Sequence, residues 1–142
     1  MRAGLCLALG GAALIAVASA GSVNADSGFT RPYLINLENV SGKVGQKTAL
    51  VAKLTLRDGY KVLDAYRNRL IELSSYDDGV TFERPVVLGL LKNGGLEFVV
   101  GVTPTKPGPH AINGVFRVGY YDDGGRMDMV SLPLIATVTG TE

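Results

Sequence analysis

The chain has 142 residues, with 14 Lys+Arg against 13 Asp+Glu and a formal net charge of +1. That balance lacks the basic excess on which electrostatic nucleic-acid or anionic-membrane binding depends. The length suits one ordinary domain, and a hydrophobic share of 46% supplies material for its core.

The first residues are Met1-Arg2, followed by an uncharged run over 5–20 and small residues at Ala18-Ser19-Ala20 and Val23-Asn24-Ala25. A basic start, a short apolar stretch and an A-x-A-like end read as a secretory signal peptide over 1–25. The run is too short and too rich in Gly and Ala for a membrane span. Cleavage is expected after Ala25, with Ala20 as the alternative, because Asp26-Ser27-Gly28 suits a solvated terminus. Processing there leaves 26–142 as a single domain and removes Arg2, so 13 basic residues face 13 acidic ones. It also removes Cys6, the one cysteine. The mature domain then makes no disulfide, performs no thiol chemistry and has no stable membrane insertion. The expected location is the periplasm or outside the cell.

In chain order, residues 26–32 read as a lead-in and 33–39 as a first strand. Ser41-Gly42-Lys43-Val44-Gly45 reads as a turn. Residues 48–57 alternate, with Leu50, Ala52, Leu54 and Leu56 on one face and Val51, Lys53, Thr55 and Arg57 on the other. Asp58-Gly59 ends that strand, and 60–63 begins another. Residues 64–75 fit two patterns, because Ala65, Leu70 and Leu73 suit a helical face while 69–74 suits a strand. An irregular connection leading into a strand is the expectation. Tyr76-Asp77-Asp78-Gly79 turns the chain into 80–83, 85–91 is a further strand, and Lys92-Asn93-Gly94-Gly95 is a hairpin turn.

Residues 96–138 then carry three alternating runs. Leu96, Phe98, Val100 and Val102 share a face, as do Ile112, Phe116, Val118 and Tyr120, and then Val130, Leu132, Leu134, Ala136 and Val138. The breaks, 104–109 and Asp122-Asp123-Gly124-Gly125, are turn chemistry. Seven to nine short strands with turns about every ten residues predict an all-β, immunoglobulin-like antiparallel β-sandwich.

Sites of chemistry are few. Asp77-Asp78 and Asp122-Asp123, with Asp128 nearby, offer oxygens to calcium, but they lack the alternating acidic spacing of a calcium loop. Asp-Gly is itself a preferred turn pair, so the turn reading leads. His110 is the only histidine. A hydrolytic triad needs a base feeding a nucleophile, and Ser74, Ser75 and Ser131 lie in no G-x-S-x-G pattern. A zinc site needs three or four ligands, which one histidine does not supply. Gly94-Gly95 and Gly124-Gly125 lack the strand-to-helix context of a phosphate loop. No catalytic residue, metal or cofactor is expected. The six tyrosines, Tyr33, Tyr60, Tyr66, Tyr76, Tyr120 and Tyr121, read as core and rim, with one of the adjacent pair Tyr120 and Tyr121 exposed.

Three segments together, Asp58-Gly59-Tyr60-Lys61-Val62, Thr103-Pro104-Thr105-Lys106-Pro107-Gly108 and Gly114-Val115-Phe116-Arg117-Val118-Gly119-Tyr120, carry a resemblance. They look like the immunoglobulin-like periplasmic domain of the transmembrane disulfide reductase DsbD, over about residues 45–139. The resemblance implies a redox cysteine pair on the hairpin after the last of these segments. Residues 120–129 contain no cysteine, so no catalytic residue transfers. What remains is a scaffold with a binding surface.

The expected function is therefore non-catalytic binding of a protein partner by an exported sandwich. The candidate surface is one end of it, where Tyr76, Asp77 and Asp78 would cluster with Tyr121, Asp122 and Asp123, and His110 joins the set. The alternative is a small-ligand or carbohydrate module using exposed tyrosines.

Overall fold

Eleven strands and no helix make up residues 31–142, the part of the chain that the computed structural model describes. The first sheet runs β1 (Tyr33–Leu37), β3 (Thr48–Leu56), β9 (Gly95–Pro104), β6 (Val80–Phe82), with β8 (Leu90–Lys92) also on β9. The second runs β2 (Val40–Lys43), β11 (Met127–Thr141), β10 (Gly108–Asp122), β5 (Arg69–Ser75), β7 (Val87–Leu88), with β4 (Tyr60–Val62) also on β10. The expected signal peptide and lead-in at 26–30 lie outside the described residues.

The alternating runs supply the core, since successive side chains of a strand point to opposite faces. Leu50, Ala52 and Leu54 on β3, with Leu96, Phe98, Val100 and Val102 on β9, are buried from one sheet. Ile112, Phe116 and Val118 on β10, with Leu134, Ala136 and Val138 on β11, are buried from the other. Phe98 and Phe116 meet edge to face between the sheets, centroids 5.1 Å apart at 62°. Burying each such side chain contributes roughly 1.5–3 kcal/mol.

Three features differ from expectation. There are eleven strands rather than seven to nine, and not every pair is antiparallel, because β2 runs parallel to β11 with Val138 opposite Val40. Residues 41–43, expected as part of a turn, belong to that strand. Its turn-rich composition is overridden by pairing with a strand near the other end of the chain. The strand expected over 85–91 is two, because the chain leaves the second sheet after β7 and joins the first as β8. Gly89 makes the crossing, where a Cβ would sit 2.9 Å from the Phe98 ring. The Asn93-Gly94 turn is as expected, with both residues at positive φ (52° and 80°), as a type I′ hairpin requires.

Candidate functional site

The described residues place their polar chemistry at the two ends of β10. At its start, His110 is buried, with 5% of its side chain exposed. Its Nδ1 lies 2.7 Å from Asp77 Oδ2 and its Nε2 lies 2.7 Å from the Lys106 carbonyl oxygen. Both nitrogens face acceptors, and only the imidazolium donates from both. The Asp77 hydrogen bond, followed by the Lys106 carbonyl, raises the His110 pKa above its ordinary 6.5, against burial and the Lys106 charge. The His110 hydrogen bond in turn holds Asp77 below its ordinary 3.8.

The surrounding turn is built to hold this pair. Asp77 Oδ1 accepts from the Gly79 N–H at 2.9 Å, and Asp78 sits at φ 58°. Gly79 O accepts from Thr105 N at 2.8 Å, and the Thr105 hydroxyl donates to Asp78 O at 3.1 Å. Lys106 Nζ donates to Asp77 O at 3.3 Å. Gly79 is required here, since a Cβ on it would overlap the His110 ring. The arrangement is an ionic clip between two loops. Both ring nitrogens are engaged by acceptors, and Ser75 Oγ bonds Asp77 and Gly79 rather than His110.

At the other end, Asp122 closes the β10–β11 turn. Its Oδ1 accepts from Gly124 N and Arg126 N, both at 2.9 Å, and Gly125 takes φ 82°. Beside this turn is an open cleft of about 420 Å³ lined by Pro32, Tyr60, Tyr120, Asp122, Arg126, Met127 and Asp128. Tyr120 forms its inner wall, with the Tyr60 ring 5.9 Å away at 78° and the Tyr33 ring 6.2 Å away at 54°. The Tyr120 hydroxyl donates to Asp128 Oδ2 at 3.2 Å. Burial, reinforced by the Asp128 charge, pushes that hydroxyl up to about 12. At neutral pH the hydroxyl keeps its proton and donates its hydrogen bond to Asp128.

The two acidic turns do not come together. Tyr76 N donates to Ala111 O at one end of β10, while Tyr121 and Asp122 lie at the other. The ten residue steps from Ala111 to Tyr121 span about 33 Å of strand. Tyr76 is 87% exposed, Asp78 and Asp123 are exposed, and Tyr121 is half-buried. Of the residues singled out from the sequence, the structure joins Asp77 to His110, and Asp122 to the tyrosine cleft. Tyr60 and Asp128, each named from the sequence in other contexts, belong to that cleft, and Arg126 and Met127 join it without a local pattern to mark them. A groove of about 470 Å³ on the first sheet, lined in part by the Lys47–Glu83 salt bridge at 3.0 Å, includes no tyrosine or histidine.

What the fold and these sites define is an all-β, two-sheet protein with distinct chemistry at its two ends. Compared with known proteins, the chain matches no family model and gives no significant match among curated proteins.

Proposed function

We propose that this is an exported, non-catalytic binding module of the immunoglobulin-like type, and that it engages a protein partner through the end bearing the tyrosine cleft. The strand order supports the fold type: β1-β3-β9-β6 against β11-β10-β5 follows the four- and three-stranded sheets of an immunoglobulin constant domain. Kinship with the DsbD-type domain belongs to the same proposal, with the scaffold kept and the cysteine hairpin absent.

The observation that carries the binding reading is the composition of the cleft. Tyr60 and Met127 are 36% and 61% exposed beside Arg126, and aromatic, Met and Arg side chains are the types enriched in protein interfaces. Loops at one end of a rigid sandwich are also where such modules place contacts. A photo-crosslinking residue at Met127 in the exported protein is expected to give a discrete covalent adduct. Tyr60→Ala should reduce that adduct roughly tenfold or more. A crosslinker at Leu34, 62% exposed on the first sheet, is the control. Equal adducts from both positions would overturn the placement.

One observation favours a carbohydrate instead. Two tyrosine rings near right angles beside Asp122 and Asp128 offer apolar faces for sugar C–H groups and carboxylates for hydroxyls. A glycan array with a hit lost in Tyr60→Ala would select that reading.

A further inference from the structure

We infer that Arg69 and Arg117, side by side on the outward face of the second sheet, form a binding site for an oxyanion, a carboxylate or phosphate group shared by the two guanidinium groups. The pairing of the strands sets a transverse row on that face: Leu88 opposite Arg69, Arg69 opposite Arg117, and Arg117 opposite Ser131. Their neighbours Leu70, Phe116 and Val118 are buried, so this row points away from the core.

Two guanidinium groups directly opposite one another repel, and arginine does not relieve this by losing its proton. The usual remedy, a carboxylate between them, is missing among the described residues. Among the described residues the Arg117 side chain makes no ion pair or hydrogen bond, and its Nε is buried without a partner. Among the described residues the Arg69 side chain meets only the Arg67 carbonyl oxygen, at 2.7 Å from its Nη1, and the Tyr66 ring, 5.8 Å from its Cζ. A buried N–H of a charged group with no acceptor is costly and is rare in folded proteins.

The surroundings strengthen an incoming anion. Tyr66 packs against Gly119, where a Cβ would sit 3.0 Å from the ring's Cγ, and walls one side. Val115 and Ile71, the next outward pair along β10 and β5, wall the other. Apolar walls lower the local dielectric, and a forked guanidinium matches an oxyanion with two parallel N–H donors. This site is on the sheet face, separate from the tyrosine cleft, and stands without the partner proposed there.

The test is NMR of the arginine Nε–Hε groups in ¹⁵N-labelled protein. The protein is titrated separately with inorganic phosphate and acetate, with sodium chloride matched for ionic strength. The Arg117 Nε–Hε signal is expected to move saturably with phosphate or acetate and to stay put with chloride. The tighter of the two anions identifies the source as phosphate or carboxylate. Arg69→Gln should weaken that binding roughly tenfold, as for loss of one charge-assisted hydrogen-bonding partner. Arg117→Lys, which keeps the charge but not the fork, should weaken it as well. Movement that tracks ionic strength equally in all three salts, or equal affinity in Arg69→Gln, would overturn the site.

Discussion

His110 gives the protein a pH dependence whose sign follows from its partners. Its folded pKa is raised above 6.5, so the stability it contributes is fully present below 6.5 and is lost as pH rises through the folded value. Asp77 is lowered from 3.8, so its share is present above 3.8 and disappears as pH falls through its folded value. The clip therefore holds across mildly acid pH and loosens on the alkaline side. The urea midpoint of the wild type should fall between pH 6 and pH 9 relative to that of His110→Gln, and parallel curves would show that the ring is not charged. Asn68 is the second residue of this kind. It is 7% exposed, its Oδ1 accepts from Gly119 N at 2.8 Å, and its Nδ2 donates to Leu63 O and Tyr66 O. Asn68→Ala leaves the Gly119 N–H without an acceptor, for an expected loss of about 1–3 kcal/mol by denaturant unfolding. The turn role of Asp77 was legible from Asp-Asp-Gly. Its pairing with a histidine 33 positions away, and the three-way grip of Asn68, were not, because both depend on how distant strands are brought together.

Strands with clean alternation, β3, β9 and β10 through β11, could be read from period alone. The ambiguity over 64–75 has a physical source in a bulge. Asn113 opposes Ser74 and Val115 opposes Ile71, so Gly114 faces two residues, Glu72 and Leu73, with Glu72 at φ 56°. The extra residue turns Leu73 inward beside Leu70, and a spacing of three then mimics a helical face. Gly114 makes room, as a Cβ there would lie 3.0 Å from Leu73 Cδ2 and 3.2 Å from Leu70 Cδ1. The β11 edge carries another device. Beyond its pairing with β2 from Val138 onward, no strand of the described residues covers its outer side, and Thr137 N points outward to Asn39 Oδ1 at 2.9 Å. Four residues earlier, Pro133 faces the same way, so its missing N–H interrupts an edge flanked by exposed Met129 and Ile135. Pro133→Val restores an edge donor and is expected to shift sedimentation velocity toward dimers and larger species, whereas Pro133→Lys should not. An unshifted Pro133→Val would mean that the edge is protected by something else.

For the whole molecule, residues 31–142 are held by noncovalent packing, because Cys6, the one cysteine of the sequence, lies outside them. The two sheets are joined at the Phe98–Phe116 contact, which is fully buried from both sides. Phe→Ala in a core typically costs about 3–5 kcal/mol, a large part of the roughly 5–15 kcal/mol that a domain has in total. Phe98→Ala and Phe116→Ala should each lower unfolding free energy by about that amount. Because the rings touch, the second truncation removes an interaction already lost, so the double variant should fall short of the sum by about 0.5–1.5 kcal/mol. Conservative Phe→Leu changes measure the same coupling if the alanine pair does not fold. Strict additivity would show that the sheets are held elsewhere.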